Sequence, residues 1–275
     1  MVRIFFYRSA LVVAIIITML CACKKHSISP GLAEPVSQNT AIQSGLPQQK
    51  DSIQGYFFTM TSLTQGANSS YIIYKQTMEA FFHHPGKSFF ADINHYLYNS
   101  TATGGSGNIN VGEVKFNSSL LRGYSSGNEV FQYVAATESP YWPNREVSWS
   151  VEGNKSISGF SVAVNRGFPA VNDTVAMPDL KRDSTYTINF NKYFGNYDSL
   201  HIALFSTSSG HRTLNKSATG TDPVISFTPA ELDFILPTSQ VKVIILAFNY
   251  SHNIINDKLY VYEQGVKIDR TVLVK

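Results

Sequence analysis

The chain contains only two cysteines, Cys21 and Cys23, and none after them. That excludes a disulfide framework, a cysteine zinc site and a cysteine nucleophile from the rest of the molecule. Charge is scarce as well, at 15% Asp, Glu, Lys and Arg against about a quarter in ordinary globular chains. Setting aside Arg3 and Arg8 from the 22 basic side chains leaves 20 against 19 acidic ones, a net of +1. A near-neutral chain has no general attraction for a polyanion, so nucleic acid is not an expected partner. Phosphate-loop, dinucleotide and calcium-loop patterns are missing, as is any alternation of strand and helix. No apolar run reaches the roughly 20 residues that a membrane-spanning helix needs. With 43% apolar residues the composition is nonetheless that of a chain with a core, not of a disordered or collagenous one.

The N-terminus carries export grammar: basic residues ending at Arg8, an apolar stretch over 10–20, then Leu20-Cys21-Ala22-Cys23 and two lysines. Leu-Cys-Ala-Cys resembles the bacterial lipobox, in which small residues let a peptidase cut before a lipid-bearing cysteine. The resemblance implies removal of 1–22 as a signal peptide and a lipid on Cys23. Each buried methylene contributes about 0.8 kcal/mol, so two or three acyl chains hold a protein firmly in its membrane. Lys24 stands where an Asp would retain some lipoproteins in the inner membrane. The expected location is therefore the outer membrane of a bacterial cell envelope, facing either the periplasm or the medium. Residues 23–52 then form the lipidated cysteine and a flexible tether, polar and punctuated by Pro30, Pro35 and Pro47. A flexible chain of that length reaches roughly 30 Å.

Beyond the tether, short runs of Tyr, Phe, Val, Ile and Thr separated by Gly, Asn, Ser and Pro predict an all-β fold. Strands are expected at 55–62, 71–83, 88–98, 111–117, 129–136, 147–152, 160–165, 185–190, 199–207, 223–228, 240–250, 258–264 and 266–274. Val266, Ile268, Val272 and Val274 share one face while Lys267, Asp269 and Thr271 take the other, as in a half-buried strand. The stretch 241–248 is apolar on both faces and is expected to be the most central strand. Thr228-Pro229-Ala230-Glu231 offers the single helical start, a capping box with Pro at the first helical position. The Pro140-Tyr141-Trp142-Pro143-Asn144 interruption suggests two consecutive immunoglobulin-like β-sandwich domains, 53–144 and 145–275. One larger sandwich is the alternative.

Two phrases carry a further likeness: Gly112-Glu113-Val114-Lys115-Phe116-Asn117, and Val147-Ser148-Trp149-Ser150-Val151-Glu152-Gly153 leading into Phe160. With the lipobox and the closing strands, they resemble predicted β-sandwich lipoproteins of Bacteroidota-type bacteria, a family without an established activity. The resemblance implies a fold and a location, and no catalytic residues.

Candidate chemistry is sparse. Gly123-Tyr124-Ser125-Ser126-Gly127 matches the nucleophile-elbow pattern, but an elbow needs a strand turning into a helix, and 128–134 reads as strand, so a Gly/Ser turn is expected. His83, His84, Asp92 and His95 form the one histidine–carboxylate cluster and could in number hold zinc. Adjacent strand residues face opposite ways, so His83 and His84 reach one ion only if Pro85-Gly86 makes a turn. Solvated or interface histidines are the simpler reading. No carboxylate pair suggests glycoside hydrolysis. Tyr141 and Trp142, held between two prolines, are either seam packing or an aromatic platform for a glycan. The expectation is a non-catalytic binding or structural module without cofactor, its partners the membrane and either a glycan or an envelope protein. A polysaccharide-binding accessory and a metal-assisted hydrolase are the alternatives.

Overall fold

The computed structural model describes residues 41–47, 53–64, 73–82, 109–126, 130–137, 146–172, 175–206, 212–219, 222–237 and 239–275. Among these the chain is mostly β. The strands of the N-terminal half are β1 (Gln43–Ser44), β2 (Ile53–Thr64), β3 (Ile73–Phe82), β4 (Val114–Phe116), β5 (Ser119–Leu120), β6 (Arg122–Ser126) and β7 (Val130–Thr137). Then come β8 (Val147–Val151), β9 (Phe160–Val164), β10 (Ala170–Val171), β11 (Tyr186–Asn189), β12 (Phe194–Gly195), β13 (Ser199–Ser206), β14 (Arg212–Thr219) and β15 (Val224–Phe227). A 3-10 turn (Phe190–Lys192) between β11 and β12, the helix α1 (Pro229–Leu232) and the two longest strands, β16 (Gln240–Ile255) and β17 (Lys258–Leu273), complete the described elements. The helix forms where its capping box lies: the Glu231 N–H bonds to the Thr228 hydroxyl and the Thr228 N–H to the Glu231 carboxylate.

Nine strands make one sheet in the order β14-β13-β16-β17-β2-β3-β7-β6, with β1 beside β16. Every pairing in it is antiparallel except β17 with β2, which is parallel. A second sheet has the order β5-β4-β8-β9, and β10 with β12 and β11 with β15 form two short ribbons. One face of the large sheet packs on the smaller elements, giving the layered arrangement of a β-sandwich. Phe57 of β2 lies 5.0 Å from Trp149 of β8 and 6.0 Å from Phe160 of β9 between ring centroids, and Phe160 is 4.7 Å from Tyr260 of β17. Leu232 of α1 and Ile188 and Phe227 of the β11–β15 ribbon join the same core. Trp149 is 1% exposed, as its alternation with Val147 and Val151 requires. On the opposite face a separate apolar cluster, including Tyr56, Phe58, Ile244, Phe248 and Val261, is drawn wholly from the large sheet.

Several expectations change. The described strands do not sort into two consecutive immunoglobulin-like sandwiches divided at 144/145. Residues from Ile53 to Thr64 pair with β17, and β4 pairs with β8, so both sheets take strands from either side of that boundary. The described residues from 41 to 275 fall within one compact unit. Periodicity shows where strands are but not which of them pair, and here the first long strand pairs with the last. Residues 258–264 and 266–273 belong to the single strand β17, and Val274 follows it in a bridge to Leu180. Gly265 does not break it, because the ring of Phe248 and the methyl of Met60 occupy the place of a side chain there. Lys267 and Asp269 do take the face opposite Val266 and Ile268, yet both are 6% exposed, so β17 is covered on both sides. Strand β16 is interior, but β17 and β2 lie nearer the middle of the sheet. Residues 41–47, expected within the tether, are bound to β16 through β1, with the Gly45 N–H donating to the Tyr250 carbonyl at 2.8 Å. The expected strand at 88–98 lies outside the described residues.

The two phrases singled out in the sequence meet in space. Val114, Lys115 and Phe116 are the register partners of Val151, Ser150 and Trp149. Beyond the pairing, the Glu113 N–H donates to the Glu152 carboxylate at 2.7 Å and the Gly153 N–H to the Val111 carbonyl at 2.8 Å. Gly153 has φ of +92°, and a Cβ there would stand 2.3 Å from the Gly159 backbone nitrogen. Left-handed backbone and a wall of main chain both require glycine. Gly153→Ala is expected to destabilise the protein by more than about 1 kcal/mol, read as a fall of several degrees in the unfolding temperature by calorimetry.

Candidate functional site

Of the residues the sequence nominates, Cys23, His83, His84, Asp92, His95, Tyr141 and Trp142 lie outside the described residues. Ser125 lies within β6, opposite Phe131, and Ser126 pairs with Val130. The backbone at 123–126 is therefore strand and not the turn expected, and it is not the strand-to-helix elbow that would present a nucleophile. Among the described residues no group of three or more His, Cys, Asp and Glu could hold a metal ion. No described helix is long and apolar enough to cross a membrane.

The structure brings together a set of residues that sequence reading passed over. On the face of the large sheet that meets the smaller one, Gln264 of β17 stands between Asn249 of β16 and Thr59 of β2. One step further along β2, Thr61 stands beside Gln76 of β3. Strands lie about 4.8 Å apart, so these groups form a continuous polar band across four strands inside an aromatic core. Thr59, Thr61 and Gln264 are 0% exposed and Gln76 is 2% exposed. The hydroxyls of Thr59 and Thr61, the Gln76 Nε2 and both terminal atoms of Gln264 have no protein hydrogen-bond partner. Ser251 Oγ and Trp149 Nε1 share that condition. Leaving a buried polar group unmet costs about 1–3 kcal/mol, so a handful of them amounts to much of the ~5–15 kcal/mol that holds a domain folded.

The rim of the band is satisfied where its centre is not. Asn249 donates from Nδ2 to the Gly167 carbonyl at 2.8 Å and accepts from Arg166 Nη2 at 3.3 Å. Arg166 also donates to Asp198 Oδ1 at 2.5 Å, and Asp198 Oδ2 accepts the Tyr250 N–H at 2.9 Å. Two residues before Gln264 on β17, the Tyr262 hydroxyl donates to Asn253 at 3.0 Å. Tyr133 is fixed by donating to Asn110 and accepting from the Val111 N–H, and burial pushes its hydroxyl up to about 12. Hydroxyls and carboxamides are neutral at physiological pH, and their chemistry is to donate and accept hydrogen bonds. The signal for the band is visible in hindsight: on one face of β2 the order is Phe57, Thr59, Thr61, Leu63, two polar residues enclosed by two apolar ones. Threonine is a good strand former, so alternation alone reads such a position as solvent-facing.

No family model matches the chain, and no curated protein or solved structure matches it.

The opposite face carries buried ionisable groups of its own. Burial raises the Glu263 carboxyl well above its ordinary range and lowers the Lys267 ammonium. Gln132 Nε2 donates to Glu79 at 3.0 Å, and Lys242 pairs with Asp269 at 2.6 Å. His201 lies against the Phe248 ring, 5.6 Å between centroids, with Nδ1 2.7 Å from the Ser217 hydroxyl, and burial pushes its pKa down to about 4. As pH falls, the unfolded chain takes up this proton near 6.5 while the folded one resists until about 4. Stability is therefore lost progressively across that window as pH falls and is fully present above it. His201→Gln is expected to reduce the drop in unfolding temperature between pH 7 and pH 4.5 by a few degrees, measured by scanning calorimetry at both values.

Proposed function

We propose that the protein is a membrane-anchored lipoprotein of a bacterial cell envelope, held in the outer membrane by lipid on Cys23, whose β-sandwich acts as a non-catalytic binding or structural module. The observation that carries this reading is the Leu20-Cys21-Ala22-Cys23 motif at the end of a short apolar stretch with a basic start. The arrangement of the folded region supports it. Its first described strand, β1, is paired with β16, and residues 24–42 of the sequence separate it from Cys23. The likeness of the β4 and β8 phrases to Bacteroidota-type lipoproteins is in keeping with this.

A polysaccharide-binding accessory is the second reading, favoured by the aromatic pair Tyr141 and Trp142 between Pro140 and Pro143. Sugars present flat C–H faces to such rings. Fractionation of cells producing the wild type and Cys23→Ala tests the anchor. The wild type is expected in the membrane fraction and extractable only by detergent, and the alanine variant is expected to lose that attachment. A cleaved Cys23→Ala product that remains in the membrane would refute it. A glycan array on the protein separates the two readings, with binding abolished by Trp142→Ala favouring the second. Stoichiometric zinc retained after dialysis would instead show a metal site and overturn the non-catalytic reading.

A further inference from the structure

We infer that the buried band of Thr59, Thr61, Gln76, Ser251 and Gln264 is a closed internal binding site for neutral hydroxylic groups, and that its occupant is ordered water. Three observations lead to water. The orphaned atoms are shut off from bulk solvent, with their residues 0–2% exposed, which suits the smallest hydrogen-bonding molecule and no larger solute. The band mixes hydroxyls, which donate and accept, with carboxamides that present both an N–H and a carbonyl. Water, with two donors and two acceptors, answers such a set, whereas an ion would meet no opposite charge in the band itself. The placement also fits. Gln264 and Thr59 are direct partners on adjacent strands, whose backbones lie about 4.8 Å apart, so their side chains leave the sheet side by side. A water about 2.8 Å from each of two neighbouring polar groups accepts from one and donates to the other. Buried water typically makes about three hydrogen bonds to groups that lack another partner.

The site lies at one particular place. Gln264 and Thr59 face each other across the β17–β2 pairing, the one parallel joint of the large sheet. Trp149, whose Nε1 is likewise without a partner, packs on Phe57, the residue next to Thr59 on that face of β2. Water held here bonds β17 to β2 through side chains, in addition to the backbone ladder.

Oxygen-17 relaxation dispersion on the full chain in detergent, comparing wild type with Thr59→Val/Gln264→Met, tests this. The wild type is expected to show long-lived internal water, some of which the double variant loses, with the unfolding temperature falling by a few degrees. Thr61→Val, which removes a single hydroxyl, serves the same comparison if the double variant does not fold. Unchanged dispersion overturns the inference whatever happens to the unfolding temperature. So does a raised unfolding temperature, because filling a dry site of unmet polar atoms with apolar groups would stabilise it. Saturable stabilisation by glucose that the double variant lacks would replace water by a sugar and overturn the assignment of the occupant.

Discussion

The parallel pairing of β2 with β17 is the constraint on which the rest of the structure depends. It runs from Ile53 with Leu259 to Thr64 with Asp269, interrupted by one register shift near Gln54. Antiparallel neighbours can be joined by a short turn, but a parallel pair needs a crossover, and here nearly the whole described fold serves as that crossover. Strands β3, β6 and β7 reach the sheet only through β2, and β13, β14 and β16 only through β17. Neither half of the large sheet is complete without the other. The pairing joins residues far apart in sequence, so its loop-closure cost falls early in folding and its stabilisation arrives late, which makes for slow assembly.

A sheet covered on both faces has a second difficulty, which is choosing its register. Where both sides of a strand are apolar, slipping by one residue exchanges one apolar side for another at little cost. In β17 the slip is opposed by Glu263, Lys267 and Asp269, all on one face and each 2–6% exposed. Moving them would put three ionisable groups among Tyr262, Val266 and Ile268 and separate Asp269 from Lys242. The β16–β17 hairpin adds to this, since Asn256 and Asp257 both take positive φ, +50° and +61°, in the turn whose twist matches the strands it joins. Buried charge seldom stabilises a fold in net terms, and its contribution here is to make the alternatives worse.

Much of the strand layout was legible in the sequence, and the partnerships were not. Strands β8, β9, β13 and β15 stand within a residue or so of where alternation puts them, and α1 forms where Thr228 and Glu231 close their box. Strand β14 was missed because Arg212–Thr219 is an edge, polar at nearly every position, its Lys216 tied to Glu231 at 2.8 Å. Edges are kept polar to discourage pairing with other chains, and that same polarity makes them read as loop. Strand β17 looked like two strands because Gly265 punctuates its sequence, though the space beside it is filled from neighbouring strands. The polar band was illegible for a different reason. A threonine on a strand has the same local signature whether it faces water or a closed interior, and only the second sheet, folded over it by Trp149 and Phe160, makes the difference.

The short strand β1 sets a mechanical order of events for a pull on the N-terminal side of the fold. Two residues of β1 lie along β16, backed by His252 hydrogen bonds to Gln43 and to the Gly45 carbonyl. A pull on the chain ahead of β1 loads these few bonds before it reaches β2. They break first, freeing residues 41–47 from β16, with the other pairings of the sheet still in place. Only then does tension bear on β2, which lies between two strands and must slide against ladders on both sides at once. The fold thus carries a weak clasp in series with a strong one, and a passing tug parts the first while the ladders of β2 still hold.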